Sequence, residues 1–359
     1  MTRKRATIKD VATLANVSIA TVSNVFSGSK PVNAELRERV ERAARELSYH
    51  VDRAASQLRS GQTKVIGVLV PDLDDVFFTS LVSRLEVRAQ EDGYDVIVAS
   101  SRDDSELERS RLRALLGWRP SGLVAVPCTD AIPQILADEA HRLPMVLADR
   151  VAGDSAFADA VTIDNHEAGA IAARHLVAMG HRDVVIAASH LSVAPIRERV
   201  RGADDFLRTQ DGRGATVVEL GSNGERGALI FADWLDRHVR PTAILALTNV
   251  TTLAVLSALA ARRIDLPEQV SLIGFDDYAW MSARKTAVTA IRQPVDEMAG
   301  TLWDRLRARM GGDGSPPRRI ELNTSLQVRD SVRDINVGGK PVPVLPGEEA
   351  QAETHNAVH

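Results

Sequence analysis

The first fifty residues have the polarity pattern of three short amphipathic helices. Apolar side chains recur there at spacings of three and four residues, which places them on one face of each helix. Thr7, Ser18 and Asn33 precede the three segments and are residue types that cap helices. The second helix is predicted at 19–26 and the third at 34–47. Two short helices across a three-residue turn, braced by a third, are typical of a helix-turn-helix.

From Lys64 onward, apolar runs of strand length alternate with helical stretches. The predicted strands are 65–70, 95–99, 123–126, 145–147, 184–188, 243–247 and 270–274. The predicted helices are 78–91, 165–179, 197–209 and 251–263. Fully apolar strands separated by helices indicate parallel sheets covered on both faces. Since residues 64–333 are many for one such sheet, we expect an α/β core of two similar lobes with a cleft between them.

Acidic residues stand where several predicted strands end. Asp72, Asp149, Asp276 and Asp277 each follow an apolar run. Open parallel sheets bind ligands beyond the carboxyl ends of their strands. These aspartates are therefore candidates for a ligand site.

The charge distribution separates a basic head from an acidic body. The chain has 359 residues, 44% of them hydrophobic, and a net charge of −4. Residues 1–60 carry a net charge of +5 and the remainder −9. A basic head favours contact with a polyanion, whereas the acidic body has another role.

Cysteine usage and hydropathy limit the classes of protein further. The single cysteine, Cys128, excludes a disulfide framework and a cysteine-rich zinc site, and it is consistent with a reducing compartment. No apolar run reaches the length of a membrane span, and the polar start does not resemble a signal peptide. We expect a cytoplasmic protein with no membrane contact, cofactor or metal.

The start of the second predicted helix carries side chains suited to the DNA major groove: Ile19, Ala20, Thr21, Ser23 and Asn24. Hydroxyls suit phosphates, asparagine pairs with adenine, and apolar groups contact the thymine methyl. A small helical bundle without a role on DNA has the same pattern. The basic charge of the head favours DNA binding.

Residues 52–63 form a short segment between the head and the body. Leu58 lies between Arg53 and Arg59, an arrangement that suits a minor-groove wedge, with cations on phosphates and an apolar group between base pairs. Taken alone, the segment is better explained as a flexible linker.

Several motifs recur in the order typical of one family. The head has Thr7-Ile-Lys-Asp-Val-Ala, Val17-Ser-Ile-Ala-Thr-Val-Ser and Glu46-Leu-Ser-Tyr49, and the body has Ile66-Gly-Val-Leu-Val-Pro-Asp72, Asp149-Arg150, Asp164-Asn165, Gly274-Phe-Asp-Asp277 and Arg292-Gln-Pro294. Over residues 6 to about 333 the chain resembles the lactose/galactose repressor (LacI/GalR) family.

The resemblance implies a homodimer that binds a pseudo-palindromic operator in double-stranded DNA through hinge helices. Leu58 would open a central CG step, and Arg59 lies beside it. Ile19, Ala20 and Asn24 would read bases. The residues expected to hold phosphates are Thr7, Ser18, Thr21, Ser23, Asn33 and Tyr49. Asn24 departs from the family, which usually has arginine there, so we expect a different base preference at this position.

The resemblance also implies two periplasmic-binding-protein-like lobes whose cleft holds a small effector. Asp149, Arg199 and Asp276 match positions that hydrogen-bond effectors. Phe77 or Phe78 would cover the ligand. Further candidates are Asp72, Thr248, Trp280 and Gln293. An arginine and carboxylates beside an apolar wall suit a sugar or sugar derivative, although Arg199 read alone is a solvated helix charge.

The predicted domain plan follows from these patterns. It consists of a DNA-binding domain at 1–49, a hinge and linker at 50–63, a core at 64–333 and a disordered tail at 334–359. Within the core we expect one lobe at about 64–162 plus 292–320 and the other at about 163–291 plus 321–333.

The sequence favours an effector-controlled transcriptional repressor that is not an enzyme. One alternative is a magnesium-dependent phosphoryl-transfer enzyme that uses the cluster of Asp72 and Asp74. Another is a sugar-binding protein with no role on DNA, which leaves the basic head unexplained. The sequence leaves open whether the effector releases or retains DNA.

Overall fold

A computed structural model describes residues 6–27, 30–49, 63–153, 155–211 and 214–336. The chain divides into two compact units, Met1–Lys64 and Val65–His359. Within the described residues, no helix is both long and apolar enough to cross a membrane.

The described residues of the first unit form three helices: α1 (Ile8–Ala15), α2 (Ile19–Ser27) and α3 (Ala34–Glu46). Thr7 caps α1, as the sequence predicted, and forms a reciprocal capping box with Asp10. The buried faces of the three helices form one apolar cluster, composed of Val11, Ala12, Ala15, Val22, Val25, Val40, Ala43 and Ala44. The cluster explains why the three helices assemble, since helices of this length are marginal alone in water.

The turn between α1 and α2 is tight. Asn16 ends α1 with a left-handed backbone, φ 52°, which asparagine tolerates better than most residues. Arg39 of α3 donates to the carbonyl oxygens of Ala15 at 2.7 Å and Asn16 at 3.2 Å. The third helix therefore braces the turn directly.

The second unit contains two six-stranded sheets covered by helices. Its strands are β1 (Val65–Val70), β2 (Asp95–Ser100), β3 (Gly122–Ala125), β4 (Met145–Ala148), β5 (Asp159–Ile163), β6 (Val184–Ala188), β7 (Thr216–Glu219), β8 (Ala243–Ala246), β9 (Ser271–Phe275), β10 (Thr289–Arg292), β11 (Arg319–Leu322) and β12 (Ser325–Gln327). Its helices are α4 (Val76–Glu91), α5 (Ser105–Gly117), α6 (Gln134–Glu139), α7 (Asn165–Ala178), α8 (Ala194–Asp211), α9 (Gly224–Arg237), α10 (Asn249–Ala261), α11 (Ala279–Ser282) and α12 (Val295–Met310).

Each sheet forms the centre of one lobe. The first has the strand order β11-β5-β4-β3-β1-β2, with every pairing parallel. The second has the order β12-β10-β9-β8-β6-β7 and is parallel except for β12 against β10. The expected α/β fold, a helix-turn-helix followed by two lobes of parallel sheet, is confirmed.

The chain passes between the two sheets three times. It crosses after β5, after β10 and after β11, so α12 and β11 belong with the first sheet. Leu322 at the end of β11 lies two residues beyond the boundary expected at about 320. Near the end of the described chain, the backbone of Ile335 donates to the Met179 carbonyl at 2.9 Å. Disorder was expected from residue 334, yet residues 334–336 are placed against the C-terminal end of α7. Residues 337–359 lie outside the described residues.

Five short strands escaped prediction from the apolar pattern. They are β5, β7, β10, β11 and β12, and each carries polar or charged residues, such as the buried Asp159 at the start of β5. Short strands with polar ends lack the continuous apolar run that marks a strand buried on both faces.

Candidate functional sites

A cavity of about 140 Å³ lies between the lobes, at the carboxyl ends of both sheets. Its walls come from the loops after β1, β2, β4, β6, β7, β8, β9 and β10 and from helices α4, α8 and α10. The lining residues are Asp72, Asp74, Asp75, Phe77, Phe78, Asp103, Asp149, Arg150, Ser189, His190, Val193, Pro195, Ile196, Arg199, Ser222, Thr248, Val250, Asp276 and Gln293.

Arg199 of α8 is the buried cation of this cavity, with only 4% of its surface exposed. Its Nε donates to Asn165 Oδ1 at 2.8 Å and its Nη1 to the Leu247 carbonyl at 2.8 Å. The guanidinium lies 3.9 Å from the centre of the Phe275 ring, a favourable cation–π contact. Burial lowers the pKa of Arg199, while Asp276, Asp149 and Asp75 act in the opposite direction.

Asp276 follows β9 with a left-handed backbone, φ 77°. Its Oδ2 accepts from the Asn249 backbone at 2.9 Å, and its Oδ1 accepts from Gln293 Nε2 at 2.6 Å. Burial nevertheless raises the pKa of Asp276, since Arg199 and these hydrogen bonds offset desolvation only in part. Both oxygens are therefore held by the protein.

Asp149 follows β4 and has the same unusual backbone, φ 55°. Burial raises its pKa against the opposing effect of Arg199 and Arg150. Among the described residues, Asp149 Oδ1 has no hydrogen-bond partner, and the same is true of Gln293 Oε1. Because buried acceptors are nearly always hydrogen-bonded, these two atoms indicate a ligand that donates hydrogen bonds.

Asp75 is the third carboxyl group near Arg199. It caps α4 by accepting from the Phe77 backbone at 2.9 Å. Burial, together with the charge of Asp276, raises its pKa to about 6. Asp75 therefore changes protonation in a range where other aspartates are ionised.

The apolar side of the cavity comes from both lobes. Phe77 and Phe78 are buried, with ring centres 5.1 Å apart in an edge-to-face arrangement. Val193, Pro195 and Ile196 line the cavity from the other lobe. The cavity thus combines apolar surface with convergent polar groups, the usual composition of a small-molecule site.

The structure brings together eight of the nine predicted effector residues: Asp72, Phe77, Phe78, Asp149, Arg199, Thr248, Asp276 and Gln293. Trp280 is the exception, because it is not among the residues that line the cavity and packs instead against the apolar cluster of the second lobe. Thr248 also caps α10 through a capping box with Thr251.

Sequence reasoning missed several lining residues. Asp75 and Arg150 are close in sequence to the predicted site residues Asp72 and Asp149 but were not themselves predicted. Ser189, His190 and Ser222 lie on loops after β6 and β7. Their place after strands that end at the cavity was the available signal, but β7 itself was not predicted.

In the first unit, the predicted phosphate contacts Thr7, Ser18 and Asn33 all lie at helix N-termini. The Ser18 hydroxyl accepts from the Thr21 backbone at 3.0 Å, and Asn33 Oδ1 accepts from the Glu35 backbone at 2.9 Å. Helix N-termini attract anions because their backbone N–H groups point outward. Three such ends on one small unit are suited to a phosphate backbone.

The side of α2 that is predicted to face DNA is accessible. Ile19 and Ala20 are exposed, and Thr21, Ser23 and Asn24 are half-buried, whereas Val22 and Val25 belong to the apolar cluster. Tyr49 packs against the same cluster, with its ring 5.9 Å from that of Phe26. Leu58 and Arg59 lie outside the described residues.

The proposed phosphoryl-transfer cluster has a structural explanation in a turn. Asp72 Oδ1 accepts from the Asp74 backbone at 3.0 Å. Across the described parts of the chain, no group of three or more histidine, cysteine or acidic side chains could hold a metal ion.

A helix-turn-helix unit and a two-lobed unit with a polar cavity define a regulator class that combines DNA binding with small-molecule binding. Comparison with known families agrees. The family described as bacterial regulatory proteins, lacI family, matches residues 7–52, and the periplasmic binding protein-like domain matches residues 173–332.

Individual relatives extend the match over nearly the whole chain. The HTH-type transcriptional regulator PtxS of Pseudomonas putida is 33% identical over 335 residues, covering 92% of this chain and 97% of the relative. The HTH-type transcriptional repressor PurR of Escherichia coli O139:H28 is 30% identical over 336 residues, covering 92% of this chain and 97% of that relative.

A solved structure of the Lac repressor dimer, bound to operator and the anti-inducer ONPF, is 28% identical. It superposes with a TM-score of 0.80 and covers 92% of this chain and 100% of that one. The chain therefore belongs to the LacI family of bacterial regulatory proteins, a DNA-binding transcriptional regulator as its motifs predicted.

Proposed function

We propose that this regulator is a cytoplasmic, homodimeric repressor that a small polyhydroxylated effector controls from the cavity between its lobes. One observation carries the proposal: Asp149 Oδ1 and Gln293 Oε1 are buried acceptors with no partner in the part of the chain that the structure describes, and both residues line the cavity. A ligand with several hydroxyl groups supplies the missing donors.

The surrounding groups suit the same chemistry. In this arrangement Arg199 donates hydrogen bonds to the ligand, the carboxylates accept hydrogen bonds from its hydroxyl groups, and the phenyl rings cover the apolar face of a ring-shaped ligand. In this proposal Asp149, Arg199 and Asp276 hydrogen-bond the effector, and Phe77 or Phe78 stacks on it.

Control of DNA binding follows from the two-lobed construction. A ligand that contacts both lobes favours one of their arrangements, and it can shift DNA affinity only by as much as it distinguishes the two states. By linkage, the effector then weakens operator binding by the same factor as operator weakens effector binding. A co-repressor would act through the same relation with the opposite sign.

The test is fluorescence anisotropy with the full-length protein. A pseudo-palindromic duplex with a central CG step, taken from the region upstream of the gene, is compared with a scrambled duplex at two salt concentrations. We expect sequence-dependent binding that weakens in Leu58→Ala. Equal binding to both duplexes that follows salt alone would reject sequence-specific regulation.

Asn24 tests which residues read the bases. Because asparagine pairs with adenine and arginine with guanine, Asn24→Ala should relax the base preference at one position of each half-site in a randomised-duplex selection. Lys30→Ala, an exposed change outside α2, is the control and should leave that preference intact. An unchanged base preference in Asn24→Ala would show that this residue does not read a base.

A further inference from the structure

The lining of the cavity carries more carboxyl groups than cations. Six of its lining side chains are aspartates and two are arginines. Arg150 is already paired with Asp103 and also donates to the Cys128 carbonyl at 3.2 Å. The other guanidinium of the lining is that of Arg199.

Arg199 does not form a direct ion pair with any of them. Its Nε and Nη1 donate to an amide oxygen and a backbone carbonyl, and it acts on Asp75, Asp149 and Asp276 through its charge. Arg150 acts on Asp75 and Asp149 in the same way, through its charge and without an ion pair. The three carboxyl groups are therefore near two cations but directly paired with neither. Burial of carboxylates without a paired cation is costly.

The unpartnered atoms of the cavity are acceptors. Asp149 is 6% exposed and Gln293 is 5% exposed, and each has one oxygen without a partner. The orientation of the Gln293 amide follows from its hydrogen bond, because the Asp276 carboxylate it contacts can accept but not donate when ionised. Gln293 Oε1 is thus left as an acceptor for a ligand.

We propose that the effector carries a protonated amine, which binds among Asp75, Asp149 and Asp276, in addition to hydroxyl groups. This inference rests on the proposed function, because it specifies the ligand of the same cavity. An ammonium group has three donors and no acceptor, so it matches both the excess negative charge and the unpartnered oxygens. A carboxylate or phosphate ligand would add to the like charge that is already buried.

A matched set of probes separates charge from shape. The small set is glycerol, 2-amino-1,3-propanediol and glycerate; the larger is glucose, glucosamine and glucuronate. Binding to the full-length protein is measured by isothermal titration calorimetry at pH 7 and low salt. We expect the amine of at least one set to bind ten-fold or more tightly than its neutral counterpart, and the carboxylate to bind weakest.

Two variants test whether the amine of the ligand binds at Asp75 and Asp149. Asp75→Asn keeps a helix-capping side chain, and Asp149→Asn is its partner in the test; each should reduce the preference for amine over neutral probe by at least five-fold. Asp233→Asn, which removes one side of an exposed ion pair on α9, should leave the preference unchanged. Circular dichroism confirms that each variant is folded.

The inference is overturned if a neutral or carboxylate probe binds as well as its amine, or if no probe of either set binds. Operator binding is measured on the same samples. Sequence-dependent DNA binding without an amine preference would reject this inference and leave the proposed function intact, whereas loss of sequence-dependent DNA binding would reject the proposed function itself.

Discussion

Two aspartates of the cavity, Asp149 and Asp276, are held in left-handed backbone at the ends of β4 and β9. This conformation is uncommon for any residue with a side chain, and each aspartate is kept in it by a backbone hydrogen bond, to Val161 at 2.9 Å and to Ile291 at 2.8 Å. Both side chains are thereby directed from strand ends into the site. Local strain of this kind concentrates at functional positions.

The raised pKa of Asp75 predicts that the stability of the ligand-free protein depends on pH. Its pKa is raised from 3.8 to about 6 by burial and by Asp276 and Asp72, against the Phe77 backbone and Arg150. A raised pKa means that the folded state disfavours the ionised form, so the contribution of Asp75 to stability is complete below pH 4 and is lost as pH rises to about 6.

Asp75→Asn removes this titration while it retains the helix cap. The melting temperature of the variant, relative to the native chain, should therefore increase between pH 4 and pH 6 and stay constant above. Differential scanning fluorimetry across that range measures it, with Asp233→Asn as the control that shows no such trend. A difference that does not vary with pH would contradict the assigned environment of Asp75.

Asp159 illustrates the opposite case, a buried carboxylate that is fully paired. It accepts from Arg305 Nε at 3.0 Å, from Arg309 Nη2 at 2.9 Å and from the Arg318 backbone at 3.0 Å. Burial opposes its ionisation, but these three donors together hold its pKa below the usual value. The cluster joins β5, α12 and the start of β11.

Asp159→Ala should lower the free energy of unfolding by about 3–5 kcal/mol, because it leaves buried guanidinium groups without their partner. Urea denaturation followed by tryptophan fluorescence measures the change. Asp233→Ala, which breaks an exposed pair with Arg237, should cost less than about 1 kcal/mol. Equal costs for the two variants would show that the cluster does not stabilise the first lobe.

At the scale of elements, the contact between α7 and α8 positions Arg199. A Cβ at Gly202 would lie 1.8 Å from the His166 carbonyl oxygen, and one at Gly169 would lie 2.0 Å from the Arg199 carbonyl oxygen. The two helices therefore meet backbone to backbone, and only glycine permits this approach. Arg199 lies within this contact, so the close approach of the two helices fixes the position of its backbone at the cavity wall.

Gly202→Ala should therefore separate the two helices and displace Arg199. We expect destabilisation of more than about 2 kcal/mol, in the range of overpacked sites, together with loss of ligand binding measured by calorimetry. Gly117→Ala is the matched control, since no atom lies within 4 Å of its added Cβ. If Gly202→Ala bound ligand normally, the helix contact would not be what positions the arginine.

At the scale of the whole molecule, the cavity belongs entirely to the second compact unit. All of its lining residues lie between Asp72 and Gln293, within Val65–His359. The lining combines residues before and after the first crossing between the sheets. A ligand in the cavity thus contacts both lobes, as control by a shift between lobe arrangements requires.

A chain of residues 63–359 should consequently fold and bind the same probe with an affinity within two-fold of the full-length protein. Calorimetry on both proteins measures this, and DNA binding by the shorter chain should be absent. Chain 63–359 carrying Arg199→Leu serves as the negative control. A large loss of affinity in the shorter chain would mean that residues 1–62 contribute to the ligand site.

The sequence alone determined the elements whose pattern is local. Capping residues and periodic apolar positions placed α1, α2 and α3, and continuous apolar runs placed β1 and β6 at the residues where the structure has them. These signals suffice because a cap, a helix face and a strand buried on both sides each depend on neighbouring residues. The strand ends and the family resemblance then identified eight of the nineteen residues that line the cavity.

Tertiary structure alone decided which distant residues meet. The strand order, the three crossings between sheets and the partners of Asp159 join segments far apart in the chain. For the same reason Asp75 and His190 entered the cavity unpredicted, while Trp280 packs elsewhere. The balance of charge around Arg199, and with it the ligand chemistry, exists only after folding, because burial and the convergence of carboxylates are properties of the assembled site.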